Sequence, residues 1–260
     1  MAGTLYDWVK DNADTVQALI GCVSNLLYKF QNWYDENAET LTEYIEAFVD
    51  FGIWSVAVDR LIKNQIIFTD YLSNEFAREI YETDDVDALI SKYYFENNHQ
   101  CLKAVISRCE GSELLRDYDD LFSQIIAAYY DKHYQLACLG LYAIIDGSMS
   151  VISGDNSTSF KNRISKIKQK IGEKVELSDV DRRFLCIGLA LKSFDQSAFC
   201  NSSFYNSEPA CVNRHWDMHG RTRRSHTELD FLKILLWVDA MVYIDDLDRY
   251  GKGDAEEVLK

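Results

Sequence analysis

The sequence predicts an all-α protein, and three observations support this prediction. The 260-residue chain has one proline, Pro209, and its twelve glycines are scattered, so long stretches lack the residues that mark hairpin turns. Apolar residues recur at three- and four-residue intervals through much of the chain. Hydrophobic residues make up 47% of the sequence, which is enough to build a folded core. We therefore expect helices packed around a common interior.

Residues 1–111 are predicted to form an acidic N-terminal helical region. Apolar spacing predicts an amphipathic helix over 5–33. A second helix begins near Thr40 or Thr42, where Thr40 and Glu43 have the spacing of a capping box. Shorter helices follow, before a break at Glu110-Gly111-Ser112, and they are expected over 71–81, 84–95 and 99–109.

Residues 112–250 are predicted to form a second, more apolar helical domain, followed by a polar tail at 251–260. Its first two helices are an antiparallel pair joined by the polar Asp131-Lys132. A basic helix follows, and another begins at Ser178 or Asp179. The expected helical ranges are 114–130, 133–153, 160–172 and 229–247.

The charge of the chain is uneven. The formal net charge is −15, and this argues against a general nucleic-acid coat because binding to phosphate is mainly electrostatic. Residues 1–130 hold 9 Lys and Arg against 23 Asp and Glu, whereas residues 131–260 hold 18 against 19. The acidic character therefore belongs to the N-terminal half.

Composition also indicates where the protein works. The first ten residues lack the order of a secretory signal, and the most apolar stretch, 134–152, is interrupted by polar residues, so we expect a buried core helix and no membrane association. The seven cysteines are odd in number and contain no CxxC pair. That pattern favours reduced thiols in the cytoplasm over a disulfide framework.

One short segment concentrates residues that carry chemistry. It holds two of the five histidines beside an arginine, in the order Arg214-His215-Trp216-Asp217-Met218-His219. Asn213 is a plausible N-cap, which would place Arg214 and His215 beside the free N–H groups of a helix start, where phosphates bind readily. On a regular helix His215 and His219 share a face, whereas Arg214 and His219 are about 140° apart.

This segment resembles the motif of the HEPN superfamily, in which an arginine, a polar residue directly after it and a histidine a few positions further on form a ribonuclease site. Arg214, His215 and His219 match that pattern. The resemblance covers roughly residues 114–247 in helix order, and about 20 residues in the motif. It implies a HEPN-like helical bundle that forms a homodimer with a composite active site. It also implies that Asp146, in the long apolar helix, matches an acidic residue that supports the motif.

RNA cleavage without a metal or cofactor needs a base for the 2′-OH proton, an acid for the leaving oxygen and positive charge for the phosphorane. A histidine performs the proton transfer and a forked guanidinium binds two phosphate oxygens. We assign His219 to proton transfer and Arg214 to charge stabilisation, with His215 and Asn213 orienting them. Positive side chains nearby are assigned to the RNA backbone, and they are Arg221, Arg223, Arg224 and Lys166.

The resulting hypothesis is a metal-independent endoribonuclease that acts on RNA, with tRNA one candidate, in anti-phage defence or a toxin–antitoxin system. A regulatory or antitoxin protein would then be its partner. The alternative is a catalytically inactive HEPN-like module that works through protein–protein contacts, which the overall acidity favours.

Two other interpretations of the motif stay open. Arg214 and His215 are also compatible with ordinary surface positions, and His219 with a packed histidine. His215 and His219 have the i, i+4 spacing of zinc ligands, with Asp217 or His226 as a third ligand, but no cysteine pair completes such a site, so no metal is expected. Asp217 would weaken phosphate binding if it faced the site.

Overall fold

The computed structural model describes residues 49–50, 52–157, 159–174 and 204–258. The helices predicted over 5–33 and from Ser178 or Asp179 lie outside these residues, as does the capping box predicted for Thr40 and Glu43. The chain divides into two compact units, 1–52 and 53–260. The described residues are helices and connecting loops without a β-strand, which confirms the all-α prediction.

The division of the chain differs from the expected boundary at residue 111. Residues 53–111 belong to the same compact unit as the residues that follow them. The reason is the packing of the helix Val86–Glu110 on the helix Glu228–Val258, since both contribute side chains to one core. The segment predicted as a polar tail is also different, because the last helix continues to Val258.

The second unit begins with two helices. Residues 53–63 are helical (α1). After a loop, α2 spans Asn74–Glu82, and the hydroxyl of Ser73 accepts a hydrogen bond from the Phe76 N–H at 3.1 Å. This cap satisfies one of the free N–H groups of the first turn, which explains why the helix begins three residues later than the apolar spacing alone suggested.

The next helix, α3, spans Val86–Glu110 with a sharp kink. Asn97, Asn98 and His99 have φ values of 50°, 57° and 59°, which lie in the left-handed region. Asparagine enters this region more readily than most residues because its short polar side chain bonds locally. The two helices predicted over 84–95 and 99–109 are therefore the two arms of α3.

The central helices follow closely along the chain. A 3₁₀-helix, η1, spans Glu113–Tyr118 and continues into α4, Asp119–Tyr130, where one continuous helix was expected. Lys132 has a left-handed φ of 62° in the connection to α5, Tyr134–Ser153. Gly154, with φ 63°, ends α5, and α6 then spans Phe160–Lys174.

The core is built around the contact between α5 and α8, Glu228–Val258. Every residue from 230 to 246 of α8 is buried, and α3 packs on the same helix. Most of these side chains are apolar, and a helix that is apolar around most of its circumference is enclosed by its neighbours. Charged side chains are also buried in this stretch, among them Asp239, which pairs with Arg108. The five-residue helix α7, Arg214–Met218, contacts α5 and carries the motif.

Among the described helices, α5 is the one whose length and composition would suit a membrane span. Within its most apolar window, 56% of the residues are buried inside the structure. Core helices of soluble proteins pass the same test, so this feature is weak evidence for a membrane. The packing agrees with the buried core helix expected from the sequence.

Candidate active site

The motif helix α7 begins at the cap that the sequence predicts. Asn213 is 4% exposed and has extended backbone angles, and its Oδ1 accepts a hydrogen bond from the Trp216 N–H at 3.1 Å. The helix ends at Met218, and Gly220 leaves it with a left-handed φ of 63°. A helix of five residues has a small dipole, so the charge for binding a phosphate must come from side chains.

His215 and His219 share a face, as their spacing predicts. Their ring centroids are 4.8 Å apart, with the rings inclined at 69°. Phe204 stacks on His215 at 4.5 Å with the planes 4° apart, and its ring meets the His219 ring at 5.5 Å in an edge contact. His215 is half-buried and His219 is exposed. The stack holds one imidazole in a defined orientation and leaves the other accessible.

The surroundings of His215 favour its neutral form. Burial lowers the pKa of His215, and electrostatic repulsion from the neighbouring His219 and Arg214 side chains lowers it further. At neutral pH this imidazole is uncharged and able to accept a proton.

Arg214 extends toward α5 and α6. Its Nη2 lies 3.5 Å from Oδ1 of Asp146, and its guanidinium carbon lies 5.6 Å from the centre of the Phe160 ring. Asp146 also accepts a hydrogen bond from Nη1 of Arg163 at 3.0 Å, and the same nitrogen bonds the Asp146 carbonyl at 2.9 Å. The structure thus brings Asp146 to Arg214, and it places one carboxylate between two guanidinium groups.

Asp217 lies on the inner face of α7, away from solvent. The residue is 5% exposed, and its carboxylate accepts hydrogen bonds from Tyr142 Oη at 2.9 Å and Thr222 Oγ1 at 2.5 Å. His226 Nε2 is 3.2 Å from Oδ1. Burial raises the pKa of Asp217, but the bonds from His226, Thr222 and Tyr142 outweigh it, so the pKa is below its ordinary value. Asp217 therefore anchors α7 to α5.

The four side chains predicted to bind RNA differ in their surroundings. Lys166 pairs with Asp155 at 3.1 Å, and Arg224 pairs with Asp230 at 2.8 Å. The side chain of Arg223 is exposed, while its backbone N–H bonds Glu208. Arg221 is exposed, and its guanidinium carbon lies 5.1 Å from the centre of the Phe204 ring. Of these four side chains, Arg221 is the one that contacts Phe204, the ring that also contacts both histidines.

Three neighbours of the motif were not singled out as site residues. Phe204 stands in a polar loop, and Tyr142 has the spacing of a core residue. Arg163 was visible only as one of several cations in the basic helix. Asp146 stands in an apolar helix, where a buried charge needs a partner, and this was the available signal for its pair with Arg163. The sequence does not specify which of the downstream arginines is that partner.

The chain matches no family model, and no curated protein or solved structure is significantly similar to it. The site is therefore interpreted from its own geometry. Within the residues that the structure describes, no three His, Cys, Asp or Glu side chains are grouped so as to hold a metal ion. Asp217 and His226 pair with each other in the interior.

Proposed function

We propose that this chain is a metal-independent endoribonuclease of the HEPN type. The observation that carries the proposal is the pair of imidazoles of His215, in α7, and His219, directly after it, with ring centroids 4.8 Å apart. Arg214 precedes this pair in the sequence and Arg221 follows it. Arg214 lies beside Asp146, and Arg221 lies over the Phe204 ring that stacks on His215. Two imidazoles and a guanidinium are the groups that cleavage of RNA through its 2′-OH requires.

The reaction divides into one attack and one departure. The 2′ oxygen attacks the adjacent phosphorus and loses its proton to a base, which forms a 2′,3′-cyclic phosphate. The bond from phosphorus to the 5′ oxygen breaks, and that oxygen takes a proton from an acid. His219 is exposed and is assigned to proton transfer, and the neutral His215 beside it is able to take part as the second imidazole.

Arg214 is assigned to the negative charge that develops on the phosphorane. Its contact with Asp146 is 3.5 Å, longer than a strong charge-assisted hydrogen bond, and Asp146 is already bonded by Arg163 at 3.0 Å. The carboxylate orients Arg214 without using all its donors. A phosphate oxygen is then able to bind the remaining N–H groups of the fork.

The biological setting is part of the same proposal. The HEPN resemblance supports a homodimer with a composite site, a role in anti-phage defence or a toxin–antitoxin system, and a regulatory or antitoxin protein as partner. The substrate in this proposal is RNA, with tRNA one candidate. The four free cysteines among the described residues support a cytoplasmic location, because thiols stay reduced there.

The direct test is cleavage of total RNA and tRNA in EDTA by the purified chain and by His219→Ala. We expect cleavage with 2′,3′-cyclic phosphate ends, and a rate about 10²–10⁴ lower in the variant. His133→Ala is the matched control, because His133 is an exposed histidine on another part of the unit. Full activity of His219→Ala, or cleavage of DNA of the same sequence, would contradict the mechanism.

A second candidate function is a HEPN-like module that binds a protein and does not cleave RNA. The observation that favours it is the pairing of Lys166 and Arg224 with carboxylates, which leaves less free positive charge for an RNA backbone in a chain of net charge −15. Wild-type protein that fails to cleave RNA at low and moderate salt would favour this candidate.

A further inference from the structure

A polar pocket lies away from the histidine pair. Its volume is about 280 Å³, and it is bordered by the end of α1, the start of α3, the segment before α7 and the start of α8. His215, His219 and Arg214 do not line it. The side chains that matter for its chemistry are Lys63, Gln65, Asp87, Arg224, Asp230 and Lys233.

Three buried polar atoms of residues that line this pocket have no hydrogen-bond partner among the described residues. They are Oε1 of Gln65, Nη2 of Arg224 and Oδ1 of Asp87, and the last of these faces the Lys233 ammonium. Gln65 is 6% exposed, and its amide nitrogen donates to the Val212 carbonyl at 3.1 Å, which fixes the orientation of the amide. A buried polar atom without a partner is destabilising, because no hydrogen bond offsets the loss of its hydration. The charge of Asp87 is balanced by Lys233, so the amide oxygen of Gln65 and the guanidinium of Arg224 are the acceptor and the cationic donor that a ligand would satisfy.

The charge of the lining favours an anion. Nζ of Lys233 lies 2.9 Å from both carboxylate oxygens of Asp87, and Nη1 of Arg224 bonds Asp230 at 2.8 Å. These two pairs balance each other. Lys63 is the third cation of the lining, and its partner Asp59, 2.5 Å away on the exposed face of α1, is not part of the pocket.

We propose that this pocket binds a small organic anion that also carries an N–H or O–H donor. Its phosphate or carboxylate would lie against Arg224 and Lys63, and its donor would bond Oε1 of Gln65. The volume is slightly below the roughly 300–1,000 Å³ of pockets for drug-sized molecules, so the ligand is the size of a small metabolite. Phosphate and carboxylate share this chemistry, and the experiment separates them.

The position of the pocket gives the ligand a structural consequence. Ala210 and Cys211 line it, and Gln65 bonds the carbonyl of Val212, which directly precedes the cap of α7. A ligand that bonds Gln65 would hold the segment leading into the motif helix. This inference is independent of RNA cleavage, because it depends on binding alone.

The test is calorimetric titration of the full chain with inorganic phosphate, uridine monophosphate and glutamate, and with uridine as a neutral control. We expect saturable binding of at least one anion and none of uridine. Lys63→Ala and Gln65→Met should each weaken binding about tenfold, the effect of losing one charge-assisted or buried hydrogen bond. Lys103→Ala, which removes an exposed lysine outside the pocket, should bind as the wild type does.

Hydrogen exchange locates the site. Bound anion should slow amide exchange in peptides covering 62–67 and 210–213, two segments that border this pocket and that Gln65 connects. Circular dichroism of both variants checks that they are folded. Absence of saturable binding by all three anions, binding unchanged in folded Lys63→Ala and Gln65→Met, or protection confined to other peptides would each overturn the proposal.

Discussion

Two arginine–carboxylate clusters in this molecule differ in their ratio of arginines to carboxylates and in their exposure to solvent. In the first, Arg108 of α3 bonds Asp239 of α8 at 3.1 and 2.7 Å and lies 2.9 Å from Asp70. In the second, Arg214 lies 3.5 Å from Asp146. The Asp239 side chain is 1% exposed, whereas that of Asp146 is 41% exposed.

The comparison separates a structural ion pair from one that is able to exchange partners. Burial lowers the pKa of Arg108, but the hydrogen bonds and charge of Asp239, with Asp70, outweigh it and hold the pKa above its ordinary value. Two carboxylates share one guanidinium there, and Asp70 also accepts a hydrogen bond from Tyr94 Oη at 3.1 Å. At the motif the ratio is reversed, because Arg163 and Arg214 share one acid. The excess positive charge there remains available to an anionic ligand.

The largest effect on stability is expected for Arg108→Met. The substitution leaves Asp239 charged and buried without its partner, which costs about 3–5 kcal/mol. Urea denaturation measures the loss. Arg116→Ala is the control, because Arg116 pairs with Glu113 on the surface and should contribute less than about 1 kcal/mol. Equal stability of the two variants would remove the distinction between the clusters.

A smaller loss, about 1–3 kcal/mol at neutral pH, is expected for Asp217→Asn, because the amide cannot accept all the hydrogen bonds that the carboxylate accepts. The folded-state pKa of Asp217 lies below its ordinary value of 3.8. Its contribution is therefore complete above that value and is lost as the pH falls through the folded-state pKa.

The pH dependence makes this prediction specific. The difference in unfolding free energy between wild type and Asp217→Asn should shrink as the pH falls below about 4. A difference that is constant from pH 7 to pH 3 would mean that the carboxylate charge contributes nothing at this position.

Arg214→Ala sharpens the comparison from the other side. We expect a loss of stability of less than about 1 kcal/mol, since its ion pair is long and partly exposed. If the proposed function is correct, the RNA cleavage rate should fall by about 10²–10³. A loss of stability as large as that of Arg108→Met would show that Arg214 is a structural residue.

The smallest effect is expected for Phe204→Leu. Removing the ring stacked on His215 admits water, and burial is the largest cause of the lowered pKa of this histidine. The pKa should rise toward its ordinary value, as measured by NMR titration of the imidazole. Phe95→Leu, which removes a ring beside His99, should leave the His215 titration unchanged.

Local patterns in the sequence predicted the parts of the site that depend on near neighbours. The Asn213 cap needs a bond to Trp216, three residues on, and the histidine pair needs one turn of helix. The same spacing predicted that Arg214 would not share a face with His219. These relations are set by helix geometry, which acts over three or four residues.

Other parts of the site depend on residues that are distant in the chain. The direction of Asp217 could not be read from its spacing, because it is decided by Tyr142 on another helix. The stacking of Phe204 depends on where a polar loop returns to α7. The expected boundary at residue 111 came from a change in composition, and composition does not report that α3 packs against α8.

By itself the sequence determined the all-α class, the approximate helices in the described residues and the short segment that concentrates histidine and arginine. Only the tertiary structure decided that Asp146 joins Arg163 to Arg214, that Asp217 is buried and that Gln65 borders a polar pocket. The physical reason is range. Helical hydrogen bonds connect residues four apart and leave a period in the sequence, whereas side chains that meet across helices are selected by the packing of the whole core.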